Sequence, residues 1–305
     1  MNDFNRNWLL HGKRNLFTWD ESPTWIHDNE LIRGSFRPSG KRDKIASLRS
    51  IFALHNETTN IWTHLVFGFI LQVGVFYHLF DVTLPAIQPP MRSGDWYMWY
   101  AFAAGSIACM GFSATFHIFM NFSATAFRRI VVLDYSGIVV QNMTQLVLIH
   151  YLLECLPKIQ VVVMSISGCA CLVGLVVVHV PKLMTPEYRS FRTIVFTALG
   201  ATAWVPTIVY GVFIAPGCTS CWHIFWSMWR SGGCYLIGAF IYAKRFPEAY
   251  FPAAAKRGVF NVWVHSHMLM HICATTATIS FVYAFLEAHR YLRSDAFTCP
   301  GARYL

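Results

Sequence analysis

Apolar residues gather along the chain in seven windows, at 60–80, 96–120, 130–152, 159–180, 193–215, 223–243 and 262–285. Each approaches the roughly 20 residues that a helix needs to cross a hydrocarbon core. The stretches between them, such as "DVTLPAIQPPMRSGD", "PKLMTPEYRS" and "PGCTSC", carry the Pro and Gly that end helices. The pattern predicts an all-α fold, a seven-transmembrane helix bundle. Residues 1–58 are mixed in charge, lack the apolar stretch of a cleaved signal peptide and are too broken to span. They predict a soluble, partly disordered N-terminal segment, followed by a transmembrane domain over 59–286 and a short tail over 287–305.

Composition agrees. The chain is 55% hydrophobic and 13% charged, against about 25% charged in an ordinary soluble domain, so a multi-pass protein of the plasma membrane or an endomembrane is expected. Of the Lys and Arg residues near the predicted helix ends, 13 fall on the side of the N-terminus and 5 on the other. Because cytoplasmic flanks carry the excess, the N-terminus is expected inside and the C-terminus outside. The net charge of +9 then reflects attraction to anionic lipid. With the basic residues spread over loops, it does not point to nucleic acid. Cys218 and Cys221 form a C-x-x-C in the outer loop, a weak signal for a disulfide. Arg230 falls in the outer half of the sixth helix, where it is expected to snorkel or cap carbonyls.

With this topology, the polar residues of the spans converge on one depth near the cytoplasmic side. Asn60 and His64 lie early in the first helix, Ser113 and His117 late in the second, Asp134 early in the third, and His267 and His271 early in the seventh. Residues four apart share a helix face. Each of the pairs Asn60/His64, Ser113/His117 and His267/His271 therefore aims at one side, while His265 points elsewhere. A single intramembrane histidine usually reads as a packing residue. Two such histidine-bearing pairs and a carboxylate at one level favour a site. Asp134 is the one carboxylate within the seven windows, and it calls for a nearby positive charge. A metal supplies that charge, since three neutral imidazoles with one open position form the donor set of a reactive zinc site. Imidazole also suits copper, iron and nickel. Asp134 could orient an activated water, accept its proton or hold a ligand imidazole.

The motifs "HNETTNIWTHL", "SATFHIF", "LDYSGI", "KRFPEAYFP" and "SHMLMH", in this order, resemble those of the progestin and adipoQ receptor family, most of all its adiponectin receptor branch. That family is related to haemolysin III and to the alkaline ceramidases. The resemblance implies a seven-helix bundle with a cytoplasmic N-terminus and a zinc ion (Zn2+) near the cytoplasmic side. It implies His117, His267 and His271 as the zinc ligands, with Asp134 and Ser113 as the accompanying catalytic residues. Two functions follow from it. In one, a zinc amidohydrolase cleaves a ceramide-like membrane lipid, Asp134 managing the proton and Ser113 helping to stabilise the oxyanion. In the other, the zinc is purely structural and the protein is a receptor or membrane scaffold. Such a receptor would answer to a hydrophobic or extracellular protein ligand and engage a cytoplasmic adaptor at the N-terminal segment.

Overall fold

A computed structural model describes residues 16–39, 44–154, 156–209 and 219–294. They form helices and a single isolated β-bridge, Phe17 to Phe36. Seven long helices dominate: α1 Thr58–Ala86, α2 Ser93–Phe119, α3 Ala124–Leu153, α4 Pro157–His179, α5 Arg189–Val209, α6 Thr219–Lys244 and α7 Ser266–Leu292. Among the described residues, each predicted window falls on one of them. By length and composition, α1, α2, α4 and α7 suffice to cross a membrane. Cys218 lies outside the described residues, and with it the C-x-x-C pairing.

Several helices outrun their windows. Because α2 begins at Ser93 and α7 ends at Leu292, Asp95 and Glu287 are helical, so Asp134 is not the sole carboxylate of the bundle helices. The hydropathy windows ended where charge begins, whereas the backbone continues until its end groups are capped. Asp95, buried near the start of α2, is held by the Arg293 guanidinium at the end of α7 (Nη2 to Oδ1, 2.7 Å), and Arg293 also pairs with Glu154 after α3. Arg230 donates to the Ser227 hydroxyl one turn earlier, at 2.8 Å.

Helix α3 is the hub, packed against α2, α4, α5 and α7, while α1 lies against α2 and α7, and α6 against α5 and α7. At the end away from the N-terminal segment, Phe76, Trp99, Phe102, Phe281 and Phe285 form an aromatic core. At the other end, Ile26, Ile32 and Phe36 pack on Phe116 of α2 and Met120 just after it, Val131 of α3, and Ala255 and Phe260. Residues 16–39 thus form a cap over one face of the bundle, called the N-terminal face below. Arg37 fixes the cap to α2. It is 2% exposed, and its Nη1 and Nη2 donate to the carbonyls of Ile118 and His117, at 3.0 and 2.5 Å. Those carbonyls close α2 and lack helical partners of their own.

Candidate metal centre

Four helices, α1, α2, α3 and α7, deliver the site's polar groups to the N-terminal face. Helix α7 starts where it does because its first turn is satisfied twice. His265 is the N-cap, its Nδ1 facing the Met268 amide at 3.3 Å, and Glu248 accepts from the Ser266 amide at 2.9 Å as well as from the Ser266 hydroxyl. Val264 enters this cap at φ +58°, a conformation costly for a β-branched residue. His267 and His271 then follow on one face. His117 comes from the last turn of α2, beside the carbonyls that Arg37 holds.

These three imidazoles meet. One ring nitrogen from each of His117, His267 and His271 lies within 4.8 Å of the others. The outer nitrogens of His117 and His271 are engaged. His117 Nδ1 lies 2.8 Å from Glu57 Oε2, and an ionised carboxylate only accepts, so the proton sits on Nδ1. His271 Nδ1 lies 3.2 Å from Thr63 Oγ1. The Thr63 hydroxyl proton is directed at the carbonyls of Thr59 and Asn60, which leaves its oxygen to accept from Nδ1–H. His267 Nδ1 lies 3.9 Å from Asp28 Oδ2. In His117 and His271 the Nε2 lone pair is therefore free, and His117 Nε2 is buried with no partner in the protein. Carboxylate and hydroxyl support behind neutral imidazoles, with an orphaned nitrogen in front, is the donor chemistry that a divalent metal requires.

The remaining predicted residues surround this cluster. Asp134 comes from the early turns of α3, and Ser113 stands one turn before His117 on α2. Both line the same cavity as the imidazoles. His64 stacks flat on His271, with ring centroids 3.5 Å apart, and Asn60 donates to Glu57 at 2.9 Å. Helix α1 reaches the site with wider, π-type turns over Thr63–Ile70, and Asn60 and His64 both line the cavity. His265 stands outside the three. Burial pulls it down to about 4, in keeping with a neutral N-cap. The cavity, about 310 Å³ in volume, continues from the imidazoles between α3, α5, α6 and α7 along Ile138, Phe196, Gly200, Leu236 and Ala239.

Sequence reasoning assigned no role to Glu57, Asp28, Arg37 or Glu248. Asp28 bonds Arg189 of α5 at 2.7 Å while approaching His267. Burial alone would raise its carboxyl, but Arg189 and then His267 outweigh burial and hold it well below the usual carboxylate range. Burial lowers the Arg37 guanidinium to about 10, with Glu57 working the other way. One signal was at hand for Glu57, since a carboxylate directly before an apolar span is a natural helix-start residue.

A protein-family profile described as haemolysin-III related matches residues 52–282. The chain belongs to the haemolysin-III-related family. Among its relatives, an adiponectin receptor protein of Drosophila melanogaster is 31% identical over 278 residues, covering 88% of this chain and 58% of the relative. A progestin and adipoQ receptor-like protein of Caenorhabditis elegans is 31% identical over 279 residues, covering 89% and 60%. The chain thus spans less than two thirds of the length of these two relatives. A heptahelical transmembrane protein of Arabidopsis thaliana is 27% identical over 297 residues, covering 90% and 81%. As a haemolysin-III-related protein, the chain is a multi-pass integral membrane protein with a seven-helix bundle. The matched range takes in Glu57, Ser113, the three imidazoles, Asp134 and Glu248, while Asp28 and Arg37 precede it.

Proposed function

We propose that this protein is an adiponectin-receptor-like membrane receptor whose histidine cluster holds zinc and hydrolyses the amide of a ceramide-like lipid. The observation that carries this reading is the convergence of three supported imidazoles beside Asp134 at the head of an apolar cavity. His117, His267 and His271 would hold the ion. When bound, zinc supplies Lewis acidity that polarises a carbonyl and lowers the pKa of water. Asp134 takes the proton of the attacking water and later returns it to the leaving amine. The Ser113 hydroxyl donates to the carbonyl oxygen as negative charge develops there. Apolar walls receive the acyl chain and keep bulk water from the scissile bond. A second reading, in which the ion only staples helices, draws on the placing of the ligands on α2 and α7 with supports from α1 and the cap.

Asp134→Asn separates the two. It keeps the side chain's size but cannot accept a proton. In zinc-loaded protein, ceramide turnover is expected to fall about 10²–10⁴-fold while metal content and melting temperature hold. Wild-type protein fully loaded with zinc that releases no fatty acid across a range of acyl chains leaves only the stapling reading.

A further inference from the structure

Far inside the cavity sits a polar group that neither the metal cluster nor the bundle uses. Gln141 lies on α3 seven residues after Asp134. Asp134, Ile138 and Gln141 all line the cavity, as a helical face repeating at four and seven residues should. At the helical rise this places Gln141 about 10 Å deeper than Asp134. It is 3% exposed, and both its amide oxygen and its amide nitrogen lack any hydrogen-bond partner. Ser106 of α2, at about the same depth, is also buried without a partner but does not line the cavity, and two other polar groups nearby are engaged. Asn142 donates to the Ile138 carbonyl at 2.8 Å, and Ser231 to the Ala277 carbonyl at 2.8 Å.

Inside the bundle an amide without protein partners is costly unless something in the cavity answers it. Leucine would fill the same space without that cost. Gln72 of α1 is also buried and unpartnered, but it does not line the cavity. Gln141 does, so a cavity occupant is able to supply what the bundle withholds. Its amide both donates and accepts, and the one chain group that answers both at a single point is a hydroxyl.

We infer that Gln141 forms a second polar subsite selecting a long-chain lipid that bears a hydroxyl in mid-chain, about 10 Å from the group that meets the histidine cluster. The inference rests on the reading of the cavity as a lipid site and narrows the lipid class it takes.

The test is competition between stearic acid and a mid-chain hydroxystearic acid for purified protein, with retained lipid weighed by native mass spectrometry. Comparing wild type with Gln141→Leu cancels the different partitioning of the two lipids into detergent. Wild type is expected to retain the hydroxylated lipid roughly three- to tenfold more, relative to stearic acid, than the variant does, the worth of one neutral hydrogen bond. The variant should bind stearic acid as well as wild type and match its melting temperature. Should Gln141→Leu not fold, Gln141→Met serves the same comparison. Equal ratios in wild type and variant overturn the subsite, as does the same preference for a hydroxyl placed beside the carboxylate. Stearic acid bound without a Gln141-dependent preference defeats this inference alone. Failure to retain any of the lipids defeats the lipid reading of the cavity and the subsite with it.

Discussion

Glu57 shows how one residue outside the ligand set governs it. Its carboxylate accepts from His117 Nδ1 and from the amides of Asn56 and Asn60. It thereby fixes both the tautomer and the tilt of the ring. Glu57→Gln keeps the shape but gives up the charge, and its amide nitrogen can face His117 with a donor. Metal affinity is expected to drop about 10–100-fold, the usual cost of losing such a support, with melting of the metal-free protein little changed. Titration with a competing chelator measures it, and an unchanged affinity would remove Glu57 from the site. The histidines themselves were legible in the sequence because the helical period fixes which of them share a face. Glu57 and Asp28 were not, since their pairing with His117 and His267 joins distant parts of the chain through a segment without periodicity.

At the scale of elements, the informative piece is the cap of residues 16–39. Hydropathy marked it as polar and therefore separate, yet Ile26, Ile32 and Phe36 are buried against α2, α3 and the turn before α7. Three apolar residues spread over an irregular segment leave no repeating signal for sequence to show. Asp28 ties this cap to α5 through Arg189. Asp28→Asn is expected to loosen the cap by about 1–3 kcal/mol, below the range for a fully buried pair because the Asp28 side chain is 39% exposed. Limited proteolysis of the cap reads this directly. The pH dependence has a definite sign. The folded carboxyl titrates below its unfolded value, so its contribution is present above about pH 4 and is lost as the pH falls further. Asp28→Asn should flatten the acid loss of cap protection. A variant as protected and as acid-sensitive as wild type would mean that the Arg189 pair does not hold the cap.

Across the whole molecule, the bundle sets a polar, metal-capable end against an aromatic core at the far end, with the cavity opening between α3, α5, α6 and α7. Seven helices were legible because each span must be apolar over its length. The wider turns of α1 and the strained entry to α7 were not, because they follow from packing around the site. The asymmetry of 13 basic residues to 5 predicts that the N-terminal face lies in the cytoplasm. Terminal tags probed in intact and permeabilised cells are expected to show the C-terminus from outside at the plasma membrane. A C-terminus reached only after permeabilisation reverses the orientation without altering the site. The proposed chemistry requires the three imidazoles to act as one metal centre, which elemental analysis of the purified protein measures. Wild type and His265→Ala are expected to carry about one zinc per chain, while His117→Ala, His267→Ala and His271→Ala each lose most of it. Full zinc retained by the three ligand variants, or none bound by folded wild type, would contradict the account.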